Sequence, residues 1–140
     1  MKPFDTLIRL SEQQLDEKRR QLAALEDRLD AARLQRKAID DELVREQGLA
    51  TQDSSALFAY GAYAAEVIRR RERADALIVL VEREAEVARD DVRTAFAELK
   101  RYQITHDRKL AELARTRAAK EQIELDEIAQ QLDRRKDDRL

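Results

Sequence analysis

The most regular apolar pattern of the chain lies in Phe4–Leu43, FDTLIRLSEQQLDEKRRQLAALEDRLDAARLQRKAIDDEL. Apolar or small residues return in it at alternating steps of four and three, with no Gly or Pro inside. This spacing, sustained over about six heptads, is typical of a helix that packs against another helix in a coiled coil. The predicted d positions are Phe4, Ser11, Lys18, Leu25, Ala32 and Ile39, and the a positions are Ile8, Leu15, Leu22, Leu29, Arg36 and Leu43.

The heptads stop at the sequence GLATQDSSA, residues 48–56. Gly48 can adopt the left-handed conformation that often ends a helix. Asp53, Ser54 and Ser55 are all favourable N-caps for a following helix. Elsewhere in the sequence a stop signal and a start signal do not occur together. We therefore predict helix 1 at about 4–47, a turn at about 48–54 and helix 2 at about 55–136.

The second predicted helix carries heptads of its own, so the two apolar seams can face each other. The sequence predicts an all-α fold in which two long helices form an antiparallel coiled-coil hairpin, as a single domain over residues 1–140. Helix 2 is the longer and overhangs helix 1 at its C-terminus. Its seam positions are Ala64, Arg71, Ile78, Ala85, Val92 and Leu99 on one line and Val67, Ala74, Val81, Ala88, Ala95 and Tyr102 on the other.

The sequence leaves the register of the hairpin open. A loop centred near Thr51 places Leu29 opposite Ala74, and a loop centred near Ser55 gives an equally good set of partners. Beyond Leu99 the heptads give way to a spacing of eleven, which favours a nearly straight apolar stripe over a left-handed supercoil. We interpret this overhang as a surface for something other than helix 1; a frayed, solvated helix end and self-association are the alternatives.

The composition favours long helices over a compact core. Charged residues make up 41% of the chain and aromatic residues 4%, with two Gly and one Pro, whereas globular domains average roughly 25% charged residues. The formal net charge of -2 gives no strong attraction to nucleic acid. The absence of cysteine excludes disulfides and thiolate chemistry. A signal peptide and a membrane span are not expected, because the sequence has no sustained apolar run.

The sequence offers no set of residues suited to catalysis. His106 is the only histidine, so a histidine pair for a metal is excluded. Adjacent carboxylates such as Asp90 and Asp91 point about 100° apart on a helix and do not converge on one ion. The phosphate-binding GxxxxGK[ST] motif is absent. We expect no enzyme activity, no cofactor, no metal and no small-molecule substrate.

Two clusters are candidate binding surfaces. The first follows the turn and is rich in aromatic residues, which are favoured at interfaces; we call it the hairpin tip. The second is a run of arginines that could meet an acidic partner, although such runs are usually solvated. The hairpin tip contains Leu57, Phe58, Tyr60 and Tyr63, and the arginine cluster contains Arg69, Arg70, Arg71 and Arg73.

Three stretches resemble the FliJ family of small coiled-coil proteins of the bacterial flagellar type III export apparatus. They are FDTLIRLSEQQLDEKRRQLA at the start, VARDDVRTAFAELKRYQ in helix 2 and the acidic ending KEQIELDEIA. The resemblance covers the whole chain. It implies a stalk-like protein, similar in fold to the coiled-coil stalk subunit of rotary ATPases, that inserts into the hexameric export ATPase and promotes its assembly.

The resemblance also implies contacts with the transmembrane export gate protein and with export chaperones. It implies a cytoplasmic location, peripheral at the inner membrane through the export apparatus. By analogy with rotary stalks, the overhang would enter the ATPase ring and the hairpin tip would face the gate or the chaperones. An equivalent stalk of a virulence type III secretion system and a generic coiled-coil adaptor are the alternatives. The residues expected at the ATPase end are Phe4, Ile8, Leu125, Ile128 and Leu132.

Overall fold

The described part of the chain, in a computed structural model, consists of two helices. The structure describes the backbone of residues 2–50 and 54–139, and the side chains of residues 3–49 and 59–139. Helix α1 runs over Lys2–Ala50 and helix α2 over Ser54–Asp138. The described residues contain no strand. The all-α prediction and the greater length of the second helix, 85 residues against 49, are confirmed.

Gly48 does not end α1, and the prediction that it would is wrong. It has no positive φ, and the helix continues through Leu49 to Ala50. A glycine inside a helix costs only roughly 1 kcal/mol relative to alanine, so it does not by itself stop the helix. Residues 51–53, which include the predicted cap Asp53, lie outside the described residues, while Ser54 is the first described residue of α2.

The predicted heptad seams are confirmed by burial. Every buried side chain of the described residues falls on a predicted a or d position. The remaining a and d positions are half-buried. In an α-helix these positions lie on one face, and each helix buries that face against the other. The buried residues are Ser11, Leu15, Leu29, Ala32 and Ile39 in α1 and Val67, Val81, Ala85, Ala88, Ala95 and Leu99 in α2.

Contacts divide the chain into two units. The hairpin unit is Gln13–Phe96, and the terminal unit combines the residues up to Glu12 with those from Ala97 onward. Both helices contribute to each unit, so each unit contains its own pairing of α1 with α2. The assignment of the chain to a single domain stays a prediction.

Ion pairs across the hairpin unit fix its direction and register. Glu84 pairs with Arg28 and Glu82 with Arg33, and further along the chain Arg70 pairs with Glu42 at 3.0 Å. Partners descend along α2 as positions ascend along α1, so the helices are antiparallel. The first two pairs bracket Leu29 and place it level with Glu82–Glu84, not with Ala74. The register centred near Thr51 is therefore wrong, and the one centred near Ser55 is close.

Two arginines occupy seam positions and are neutralised there. The side chain of Arg36 is 21% exposed and forms ion pairs with Asp75, at 2.7 Å, and with Asp40. Arg71, from α2, reaches the other oxygen of the same Asp40 carboxylate at 3.2 Å. The hydrogen bond to Asp75, followed by the Asp40 contacts, raises the pKa of Arg36 above its ordinary value. A polar seam layer of this kind fixes register, because a shifted hairpin would leave these charges unpaired.

In the terminal unit the start of α1 lies against α2 around His106. The ring of Phe4 is 5.9 Å from that of His106, and the Lys109 ammonium lies 4.6 Å from the centre of the Phe4 ring. Asp5 faces the imidazole, with its carboxylate oxygen 3.6 Å from Nε2. This contact lies at the beginning of α1, whereas α2 continues to Asp138.

Candidate functional site

The most exposed apolar surface of the terminal unit lies on α2 beyond His106. We call Asp107–Asp138 the tail segment. All of its residues are exposed. Leu125 is 60% exposed, and Ile128 and Leu132 are each 54% exposed, whereas Leu99, on the same helix, is 7% exposed. The tail segment therefore presents large aliphatic side chains that no described part of the chain covers.

The other two residues expected at the ATPase end, Phe4 and Ile8, are half-buried. Phe4 packs between His106 and Lys109 and so holds the start of α1 against α2. From Lys109 to Leu125 α2 advances by roughly 24 Å at its rise per residue. The structure therefore does not bring Phe4 and Ile8 into one patch with Leu125, Ile128 and Leu132.

At the hairpin tip the structure describes Tyr60 and Tyr63, while the side chains of Leu57 and Phe58 lie outside the described residues. Both tyrosines are half-buried, and their ring centres are 6.4 Å apart. The hydroxyl of Tyr63 is buried without a hydrogen bond of normal geometry within the described residues. Burial, and then the nearby Glu42 carboxylate, raise the pKa of Tyr63. The two tyrosines are therefore partly packed within the hairpin unit and partly exposed as aromatic surface.

The arginine cluster is fully occupied by ion pairs within the hairpin unit. Arg69 and Arg73 both contact Glu66, at 3.3 Å each. Arg70 and Arg71 cross to Glu42 and Asp40 of α1. An acidic partner would have to compete with these carboxylates for the arginines. The cluster is thus explained by pairing inside the hairpin, and its role in binding stays a prediction.

The pair between Glu42 and Arg70 predicts a pH dependence of stability. The hydrogen bond from Arg70, and then an interaction with Tyr63, lower the pKa of Glu42 below its ordinary value of 4.5. A lowered carboxylate pKa stabilises the fold above the ordinary pKa, and the contribution is lost as pH falls through the lowered one. We expect Glu42→Gln to lower the melting temperature at pH 7 and to leave it unchanged well below pH 4.5.

Thermal melting followed by circular dichroism at the two pH values checks this expectation. Glu72→Gln is the matched control, because Glu72 is exposed and has no ion pair with a described residue. It should change the melting temperature little at either pH. A Glu42→Gln defect of the same size at both pH values would contradict the electrostatic explanation.

The described residues do not assemble a metal centre. They contain no group of three or more His, Asp or Glu side chains placed to hold a metal ion. One open groove of about 480 Å³ lies between the helices and is lined by residues including Ile39, Glu42, Arg70 and Leu77. The one carboxylate among its lining residues, Glu42, is paired with Arg70 of the same groove.

An exposed apolar surface on α2 of the hairpin unit was not predicted from the sequence. Val79, Leu80 and Val87 are 44%, 52% and 62% exposed. The signal was the unbroken run Leu77–Val81, LIVLV. A two-position seam can cover only part of five consecutive apolar residues, so the others must point outward. Only Val81 of this run is fully buried.

Across the described residues, neither helix has a stretch apolar enough and long enough to span a membrane.

Comparison with known proteins agrees with this geometry. Neither the curated proteins nor the solved structures gave a match to the chain. The sequence model of the FliJ family, described as Flagellar FliJ protein, matches residues 1–138. The family consists of non-enzymatic components of the flagellar protein export apparatus. A match over nearly the whole chain, together with the paired long helices, shows that the chain belongs to the FliJ family.

Proposed function

We propose that this chain binds the hexameric ATPase of the flagellar export apparatus through its tail segment and promotes assembly of the ATPase ring. The proposal rests on the exposure of Leu125, Ile128 and Leu132 in the tail segment, all of whose residues are exposed. Large aliphatic side chains left in water favour association, because burial of each can contribute up to roughly 1.5–3 kcal/mol.

The geometry of a single helix suits insertion into a ring. An unpaired helix is about 10–12 Å wide with its side chains, narrower than the two-helix hairpin. Its exposed apolar and charged residues point in all directions around the axis, so a ring of subunits could contact several of its faces. The eleven-residue spacing keeps the apolar stripe almost straight along the helix.

Phe4 and Ile8 have a supporting part in this proposal. Their packing near His106 holds the start of α1 against that part of α2. The tail segment, which follows on α2, is exposed. The export gate and the export chaperones are proposed partners of the hairpin tip. This part rests on the position of the aromatic residues Tyr60 and Tyr63 near the end of the hairpin. The same contacts would bring the chain to the cytoplasmic face of the inner membrane without a span of its own.

Co-purification with the export ATPase tests the proposal. The full chain should be retained by the immobilised ATPase and should increase its ATP hydrolysis in a saturable titration. A chain ending at Asp107, which keeps the Phe4–His106 contact, should do neither. Equal retention and stimulation by the shortened chain would overturn the assignment of the site to the tail segment. Failure of both chains to bind would overturn the ATPase as the partner.

A further inference from the structure

The tail segment separates its charges along the helix. From Arg108 to Lys120 there are five basic residues and one acidic residue, and from Glu121 to Asp133 there are five acidic residues and no basic one. We call these stretches the basic block and the acidic block. Each extends over roughly 20 Å of helix. The tail segment therefore presents two successive bands of opposite charge.

The charges of these bands are not paired within the described part of the chain. None of the ion pairs among the described residues involves a position beyond His106. Inside the acidic block the charged neighbours three residues apart are alike, Glu121 with Glu124 and Glu124 with Glu127. Like charges at this spacing destabilise a helix. The acidic block is therefore not explained by the stability of the helix itself.

Within each block the charges lie on opposite sides of the helix. Arg115 and Arg117 lie about 160° apart around the axis, and so do Glu124 and Asp126, because each residue turns the helix by about 100°. Arg117 and Glu124 lie on the side of Ile128. Arg115 and Asp126 lie on the opposite side. A partner that contacts one face of the tail segment would therefore leave part of each block unpaired.

The exposed aliphatic residues are distributed in the same way. Ile123 is 58% exposed and Leu125 is 60% exposed. They also lie about 160° apart around the axis. A partner packed against the side of Leu125 would leave Ile123 in water. A partner that surrounds the helix covers both side chains, which burial of apolar surface favours.

From the separation of charge along the axis and its spread around the axis, we infer that the partner encircles the tail segment with two charged collars. An acidic collar surrounds the basic block, and a basic collar surrounds the acidic block. The inference rests on the proposed function, because it describes the inner surface of the ATPase ring. A shift of the helix by about one block length would set like charges against each other. The collars thus fix how far the tail segment enters the ring.

A crossed set of charge additions tests the sign of each collar. Thr116 in the basic block and Gln130 in the acidic block are both exposed and lie within about 40° of each other around the helix. Each is changed to Glu and to Lys in the full chain, and the affinity for the assembled export ATPase is measured. Gln130→Glu and Thr116→Lys should bind roughly two- to fivefold more tightly, and Gln130→Lys and Thr116→Glu more weakly by the same factor. High salt should reduce all four differences.

Single charge reversals on opposite sides of the helix test whether the partner encircles it. Arg115→Glu and Arg117→Glu should each weaken binding by roughly three- to tenfold, because each turns an attraction to the acidic collar into a repulsion. Glu124→Arg and Asp126→Arg should weaken it similarly at the basic collar. A partner that binds one face would respond to the reversals at Arg117 and Glu124 and not to those at Arg115 and Asp126, which would overturn the inference.

Arg83→Glu is the control, because Arg83 is an exposed arginine of the hairpin unit that has no ion pair with a described residue. It should bind the ATPase as the wild type does. All the variants should keep the melting temperature of the wild type, followed by circular dichroism, because the changed positions are exposed.

Two further outcomes overturn the inference while the proposed function stands. One is a wild-type chain that binds the ATPase together with four reversals that bind equally well. The other is a shift of affinity in the same direction by Thr116→Glu and Gln130→Glu, since the lining would then carry one sign of charge. A wild-type chain that the ATPase does not retain would overturn the proposed function and this inference with it.

Discussion

Leu29→Asp should unfold the hairpin unit or lower its melting temperature by tens of degrees. Leu29 is 5% exposed and occupies an a position in the middle of the seam. Truncation of a buried leucine costs roughly 2–5 kcal/mol, and a buried carboxylate without a partner adds several more. Glu82 and Glu84, which lie level with Leu29 on the other helix, are themselves acidic. Together these two costs approach the free energy of unfolding of a typical domain, roughly 5–15 kcal/mol.

Leu34→Asp is the matched control for this prediction. Leu34 lies on the same helix but is 68% exposed, so the same substitution should change stability by about 1 kcal/mol or less. Leu22→Asp should fall between the two, because Leu22 is half-buried. Thermal melting followed by circular dichroism gives the melting temperatures of the three variants and so ranks them. If Leu29→Asp melts as Leu34→Asp does, the packing of α1 against α2 at this seam is wrong.

Changing Leu125, Ile128 and Leu132 together to Ser should leave the hairpin nearly as stable as before and abolish stimulation of the export ATPase. The three side chains contact no described residue of α1 and are 54–60% exposed, so their loss removes little packing within the chain. If each contributes roughly 1 kcal/mol or more at the interface, the triple change lowers affinity by roughly a hundredfold or more.

A triple change on exposed apolar residues of the hairpin unit is the control: Leu34→Ser, Val44→Ser and Val87→Ser. These positions are 68%, 67% and 62% exposed, so the loss of apolar surface is similar and its location is different. The control should stimulate the ATPase normally. A tail variant whose melting temperature is much lower than that of the wild type would show that these side chains stabilise the fold. A control that loses stimulation as the tail variant does would place the contact on the hairpin unit.

The sequence predicted the seam of this fold well, because the seam depends on a local repeat. Leu15, Leu29 and Ile39 in α1 and Val67, Val81 and Leu99 in α2 are buried where the heptads place them. Register was harder, because apolar residues in consecutive heptads are interchangeable and a shift of one heptad preserves the pattern. The structure resolves it through charges, such as Arg36 with Asp75 and Arg70 with Glu42, whose partners lie far apart in the sequence.

The candidate site was predictable in part. The exposure of Leu125 and Ile128 followed from the change of spacing from seven to eleven residues. The ion pairs of Arg69 and Arg73 with Glu66 could have been predicted from helical geometry, because residues at these spacings lie on the same face of a helix. The packing of Phe4 against His106 was not predicted, because it depends on where α1 begins relative to α2. Gly48 was misjudged, because a glycine permits the left-handed conformation without requiring it.

Site-specific photo-cross-linking tests whether the tail segment is the surface that binds the export ATPase. A photoreactive residue is placed at Ile128, 54% exposed in the tail segment, or at Leu34, 68% exposed in the hairpin unit. On irradiation with the assembled ATPase, the chain labelled at Ile128 should form a covalent adduct with an ATPase subunit, and the chain labelled at Leu34 should not. An adduct from Leu34 without one from Ile128 would show that the ATPase binds the hairpin unit and not the tail segment.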